Sequence, residues 1–435
     1  MPNVTKPGTT FRMPWGLALF LLATFGLMFD PSFSGGVKAV NIGDYMQAVL
    51  KGGNTLREIS LLTLGVFALI TFLNRRRDRL QANGPLAWLL LFFLGLAVAS
   101  PAWAQDPAVA IRRVVVLVLL SAGAAAVVAR CPLLRIAALT VCVCGFTVII
   151  SLAVEIASGA FRPLDGSWRF SGVLHPVVQG WNCGLLVIAS LVLAVALPRS
   201  RMVFIFVALV GFVFLGLTRS RMPLASTILA CAVCGSFISS RARRLSFASA
   251  YFLVCVGLLW FLLGGNIGKT AVAAATLGRG KQAAASLDTF TGRLELWDAE
   301  LGYVKERPVL GYGYDSFFNP RNIPSIAKAA GWVATSPHSG YIGTLLGLGY
   351  VGLATLVLTL LAALKRSLSQ ARHRPEVAFA AAVTIWLCCN LFLESAIITD
   401  PSFPTFICLA ILVSLSFKRV SRPSTWWFSH AEARQ

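Results

Sequence analysis

Apolar residues fall in twelve runs of roughly spanning length, at 13–29, 57–73, 85–100, 111–129, 133–156, 177–197, 202–217, 223–240, 246–263, 339–364, 376–396 and 402–418. About 20 apolar residues carry a helix across a bilayer, so each run predicts a transmembrane helix, several of them on the short side. The first run follows Arg12 as a signal peptide would. No small-residue cleavage site succeeds it, and Ala-Trp-Ala-Gln at 102–105 lies far too deep, so it reads as an uncleaved span. An even number of spans puts both termini on one side.

Between runs nine and ten, about 75 residues break the pattern. A loop of that length in an otherwise tight bundle is usually functional or partly folded. At its centre Leu287, Phe290, Leu294, Trp297, Leu301 and Val304 recur at spacings of three and four, which predicts an amphipathic helix. Ser286 and Asp288 are available as N-caps, and Pro308 stops the helix. The expected organisation is nine helices over 1–263, an outer loop over 264–337, three helices over 338–418 and a tail over 419–435 carrying Trp426 and Trp427. The fold class is therefore all-α, an integral membrane protein. Gly340, Gly343, Gly347, Gly349 and Gly352 at the start of run ten are expected to let helices approach closely.

Composition agrees. The chain of 435 residues is 57% hydrophobic and 13% charged, with a mean hydropathy of +0.76, more apolar surface than a soluble core needs. The net charge of +21 does not mark a nucleic-acid binder, because the basic residues come in short clusters between apolar runs. With a cytoplasmic N-terminus, 21 of the 38 basic residues but three of the 17 acidic ones fall in the inner segments, which orients the bundle by the positive-inside rule. The ten cysteines lie mostly inside apolar runs. Their close pairs lack the further ligands a metal site would need, so no metal or cofactor is expected.

In that orientation Arg219 and Arg221, in GLTRSRMPLA, face outward, where the charge rule asks for no arginine. Two of the four histidines, His373 and His430, read as solvated inner residues. His175 in RFSGVLHP and His338 at the end of the long loop lie outside, as does Arg293 in TGRLELW. The bland alternatives are headgroup anchoring for Arg219 and Arg221, an ion pair with Glu295 or Asp298 for Arg293, and helix capping for the histidines. The functional alternative is a seat for a diphosphate at the membrane surface. Arginine offers phosphate a planar fork and stays charged, and one histidine can take a proton from an attacking hydroxyl. That set suits glycosyl transfer from a lipid diphosphate better than hydrolysis by paired carboxylates. Asp165, Glu394 and Asp400 are acidic groups on the same side. Tyr312 and Tyr314, in the glycine-rich PVLGYGYDSFF, are candidates for shaping a pocket.

TRSRMPLA, TGRLELWDAELGYVKERPVLGYGYDSF and PHSGYIGTLLGLGYVG, with the weaker SPAWAQDPAVAIRR and SGVLHPVVQG, resemble the bacterial O-antigen ligase and polysaccharide polymerase superfamily over about residues 95–415. The resemblance implies a GT-C-like glycosyltransferase bundle of about twelve helices in the bacterial inner membrane, with its active site facing the periplasm. It implies transfer of a glycan from undecaprenyl diphosphate without a metal ion. Arg219 or Arg221 and Arg293 would contact the diphosphate, and His338 would act as base or orient the acceptor. The chain departs from the family where a common His-Asn pair reads His338-Ser339, which bears on acceptor positioning, and where Val177 follows His175-Pro176. SPAWAQDPAVAIRR and the length look most like the ExoQ-like exopolysaccharide polymerases, so the first expectation is polymerisation of lipid-linked repeats. Ligation to a lipid A core is the close alternative, and a lipid-linked sugar flippase the alternative of another class. Against a flippase stand the lack of repeated halves and the peripheral position of the polar residues.

Overall fold

A computed structural model describes residues 13–28, 55–74, 79–165, 168–238, 292–371 and 374–420. Its helices are α1 (Trp15–Gly26), α2 (Thr55–Leu73), α3 (Pro85–Ala99), α4 (Pro107–Arg130), α5 (Leu133–Ala157), α6 (Pro176–Ala196), α7 (Arg201–Leu217), α8 (Arg221–Ile238), α9 (Arg293–Glu306), α10 (Ile323–Ala330), α11 (Gly340–Ala371), α12 (Pro375–Asn390), α13 (Ala396–Thr399) and α14 (Phe403–Ser416). Each predicted apolar run in the described residues carries one of these helices; the run at 246–263 lies outside them. Seven helices, counting short extensions of α3 and α7, are long and apolar enough to cross a membrane, while α1, α8, α12 and α14 are apolar but shorter.

α6 sits at the centre. From Gln179 to Ser190 every residue is buried, because neighbours surround a sequence that is apolar or small on all sides except at Gln179 and Asn182. α5, α7, α8 and α12 pack around it, and α3, α4, α11 and α14 form the adjoining layer. The outermost helices bury one face and expose apolar residues on the other, among them Leu62, Val66 and Leu69 of α2, Trp88 and Phe92 of α3, and Met202 and Phe206 of α7. A surface so apolar is that of a membrane protein.

Two features were not expected of an all-α chain. Strands β1 (Arg79–Ala82) and β2 (Phe417–Val420) pair antiparallel, tying the α2–α3 connection to the segment after α14. Arg366 donates to the Asn83 carbonyl at the same end. The other end of α3 and the start of α11 lie opposite, so the bundle has a strand end and a loop end.

The second feature is at Gly349, where α11 breaks with φ 64° and ψ −165°. Of the run-ten glycines, Gly347 and Gly349 dock backbone on backbone against the 308–313 strap, while Gly340 lies against the Leu391 side chain just past α12. Leu346 and Gly347 turn their carbonyls to the N–H groups of Tyr312 and Gly313, both at 2.8 Å, and the N–H groups of Tyr350 and Val351 reach the carbonyls of Pro308 and Val309. The backbone groups freed by the break are thus paired with the 308–313 strap, as a non-aqueous setting requires. A Cβ on Gly311 would lie 2.4 Å from the Leu346 oxygen, and one on Gly349 2.2 Å from that of Val309. The 100–106 segment clasps the strap from outside: Trp103 Nε1 donates to the Leu310 carbonyl at 2.8 Å, and Tyr314 N–H donates to Ser100 Oγ at 2.9 Å.

α9 also corrects the expectation. Its N-cap is Gly292 at φ 77°, it ends at Glu306 short of Pro308, and its buried face is Leu296, Glu300 and Val304. Leu294 and Leu301 point outward. Of the predicted stripe, Val304 is buried and Trp297 packs partly buried against the same cluster. Ser286, Asp288, Leu287, Phe290, His373, His430 and the tail with Trp426 and Trp427 lie outside the described residues.

Candidate active site

The turn between α7 and α8 alternates. Thr218 and Ser220 are buried, while Arg219 and Arg221 are partly exposed. Thr218 Oγ1 donates to the Leu215 carbonyl at 2.7 Å, and Ser220 Oγ donates to that of Pro176 at 3.1 Å. Arg169, in the loop before α6, binds both halves of the turn: Nε donates to the Thr218 carbonyl at 3.0 Å and Nη2 to Ser220 Oγ at 2.9 Å. The loop is itself held by the buried Glu155, whose Oε1 accepts the N–H groups of Ser171 and Gly172, both at 2.8 Å. Arg219 adopts φ 49° and donates to the Asp165 carbonyl at 3.0 Å. Arg221 opens α8 and feels the charge of Arg293.

Arg293 and His338 are set by two tryptophans. Trp332 Nε1 donates to the Gly292 carbonyl at 3.1 Å, and its ring lies 5.6 Å from that of His338. Trp297 Nε1 donates to the Pro337 carbonyl at 3.1 Å. The chain beyond α12 forms an arch under both. The Leu391 carbonyl accepts the Gly340 N–H at 2.7 Å, the Leu393 carbonyl accepts Arg293 Nη1 at 2.6 Å, and the Glu394 carboxylate pairs with Arg293 Nη2 at 3.1 Å. Arg293 therefore pairs with Glu394, rather than with Glu295 or Asp298.

The charges form one connected field. Burial, then the Arg293 guanidinium and then His175, lower His338 to about 4. Burial and Arg169 lower His175 likewise to about 4. Burial raises the Glu394 carboxyl against the pull of Arg293 and Arg169. Farther along, Asp315 pairs with Arg113 at 3.2 Å and is pushed up to about 6 by burial against that pairing, with Asp400 nearby. The three non-glycine residues with positive φ among those described are Arg219, Asp315 and His338, and such strain persists where surrounding contacts fix it.

Thus Arg221 and His338 both feel the charge of Arg293, and His338 that of His175, while Arg219 turns to the Asp165 carbonyl. His175 also caps α6, Nδ1 accepting the Val177 N–H at 3.3 Å. Ser339 is buried and its hydroxyl accepts the Ile342 N–H at 3.4 Å, a helix-capping contact. Tyr312 and Tyr314 belong to the strap. Tyr312 donates to the Glu306 carboxylate, with the Tyr303 carbonyl 3.1 Å away, and Tyr314 donates to the Ile398 carbonyl. Sequence reasoning gave Arg169 no role although it opens the stretch RFSGVLHP; it is as unexplained by the charge rule as Arg219. Among the described residues no group of His, Cys, Asp or Glu is placed to hold a metal ion.

Residues 184–357 match the family model described as O-antigen ligase, a span that takes in Arg219, Arg221, Arg293 and His338. The match supports a role of the ligase or polymerase type. No curated protein matches the chain.

Proposed function

We propose that the protein is a glycosyltransferase that moves a glycan from undecaprenyl diphosphate to a sugar hydroxyl of another lipid-linked repeat, at the periplasmic face of the bacterial inner membrane. The observation that carries this is the convergence of Arg221, Arg293 and His338 at the loop end, inside one electrostatic field. Arg221 and Arg293 repel each other, and a diphosphate between them relieves that repulsion, Arg221 offering its fork of donors and Arg293 the N–H protons that Leu393 and Glu394 leave over. Of the two turn arginines, Arg221 is the one whose charge meets Arg293; Arg219 stands over Asp165 as an anchor.

In the transfer, the acceptor hydroxyl oxygen bonds to the anomeric carbon, and the bond from that carbon to the diphosphate oxygen breaks. The electron pair leaves with the diphosphate, where the arginines stabilise it, and the hydroxyl proton passes to the neutral His338 imidazole. Bound diphosphate offsets the positive charge of Arg293, which raises the basicity of His338 when a donor is present.

The description of the matched family favours a second reading, ligation to a lipid A core, which has the same donor half-reaction. Reconstitution with a defined undecaprenyl-diphosphate oligosaccharide separates the two: longer lipid-linked chains support polymerisation, transfer to added lipid A core supports ligation. Labelled donor that crosses the bilayer unchanged would instead support a flippase. His338→Ala and Arg293→Ala are each expected to lower transfer by about 100-fold or more while the protein still inserts. Full activity in His338→Ala would remove the base assignment.

A further inference from the structure

Beneath the site, three helices meet on one side chain. Asn390, fully buried at the end of α12, makes three side-chain hydrogen bonds, two of them to other helices. Its Oδ1 accepts the Trp181 Nε1 proton of α6 at 3.1 Å. Its Nδ2 donates to Ser226 Oγ of α8 and to the Trp386 carbonyl, both at 2.8 Å. Ser226 in turn donates to the Pro223 carbonyl at 3.1 Å, so the tie reaches the first turn of α8, close to Arg221. In apolar surroundings such bonds have no competing water, and a fully satisfied network specifies one arrangement.

The chain runs from Asn390 directly into the arch. The Asn390 carbonyl accepts the N–H groups of Leu393 and Glu394 at 3.2 and 3.0 Å, folding the backbone back at once. From there Leu391 holds Gly340, two residues from His338, while Leu393 and Glu394 hold the Arg293 guanidinium. The same amide therefore sits one step from α8, which starts at Arg221, and one step from both supports of the Arg293–His338 pair.

We propose that Asn390 is a positioning residue for glycosyl transfer: with Trp181 and Ser226 it fixes the arch that sets Arg293 and His338 at their working separation and keeps Arg221 in line with them. The proposal rests on the glycosyltransferase function but is testable apart from it. Ser226→Ala removes one bond to the amide with little change of shape, Trp181→Phe removes another but also leaves a cavity where the fully buried indole was, and Asn390→Ala removes all. Full-length proteins in detergent are compared by thermal unfolding and by pH-dependent modification of His338 with diethyl pyrocarbonate, read on the peptide that contains it. The groups acting on that imidazole are Arg293 and His175, with Arg169 beside His175, and Glu394 and Arg221 beside Arg293.

In the unaltered protein the midpoint of modification should fall near pH 4. Loosening the arch lets Arg293 and the buried wall move away, so in both single-bond variants it should move up toward the ordinary histidine value of about 6.5. Transfer from the lipid-linked donor should fall between about 10- and 100-fold, mainly in kcat, as for misplaced reacting groups. Folded variants with an unchanged midpoint overturn the positioning role, whatever their activity. If the unaltered protein performs no transfer yet the midpoint moves, the functional reading fails and the positioning of His338 stands. Should Asn390→Ala not accumulate, the two single-bond variants carry the test.

Discussion

His338 is a weak base, because burial, Arg293 and His175 all favour the neutral ring. Its acid limb should therefore lie near pH 4 in kcat/KM, which reports the free enzyme, and higher in kcat, where the donor's negative charge is present. Coincident limbs in a pH–rate series would argue against a diphosphate beside the imidazole. His338 and His175 are both depressed below their unfolded value of about 6.5, so their contribution to stability is whole above that pH and is lost as pH falls toward 4. The two turn arginines should also separate. Arg219→Gly relieves a left-handed backbone and should raise thermal stability by about 0.5–1 kcal/mol with transfer largely kept, whereas Arg221→Ala should lose transfer at unchanged stability. Calorimetry and donor turnover on the two variants decide it. At this scale the sequence drew attention to Arg219, Arg221 and Arg293 as outward charges without a topological reason, and to His338 by their company. It was silent on which of two arginines two residues apart meets Arg293, since that depends on the Thr218–Ser220 turn and on Arg169, whose partners lie about 50 residues away.

The strap and α9 hold two contrasting substitutions. Gly311→Ala drives a methyl into the Leu346 carbonyl and should destabilise by about 1–3 kcal/mol. Gly302→Ala, with nothing within 4 Å of the new atom and a helical position to fill, should stabilise by about 0.5–1 kcal/mol. Unfolding midpoints of the two proteins would show opposite shifts. Glu300, in the same helix, is fully buried with neither carboxyl oxygen paired, and burial lifts it to about 9. The folded group stays protonated while the unfolded one ionises above about 4.3, so stability falls as pH rises from there toward 9. Glu300→Gln should therefore raise the melting temperature more at pH 8 than at pH 4; an equal effect at both would mean the carboxyl is not neutral. The limits of α9 were partly legible from Pro308, but its buried face was not. Glu300 reads as polar in any pattern, and the groove that turns it inward is built by Tyr312, Phe317, Ile326 and Leu346 from later in the chain.

At the scale of the whole molecule, the apolar runs placed the helices because burial in lipid or protein needs the same residues either way. The β1–β2 pairing and the break at Gly349 stayed hidden, since a four-residue strand and one glycine leave no periodicity. In the proposed orientation the two ends of the bundle face different compartments. With the ten native cysteines replaced, Leu164→Cys, at a position 99% exposed at the loop end, should react with an impermeant maleimide in spheroplasts. Lys418→Cys, on β2, should react only after the membrane is opened; the reverse result would invert the orientation. The interlock at Gly349 also dictates an order of biosynthesis. The clasp at 100–106 is made roughly 200 residues before the strap it grips, a wait of about 10–40 s at ribosomal speed. The strap in turn emerges before the glycines of α11 that complete it. Until residue 351 has arrived, Pro308, Val309, Tyr312 and Gly313 have no backbone partners in α11, so the strap cannot settle before then, and the strand end waits longer still, for the residues up to Val420 that pair with β1.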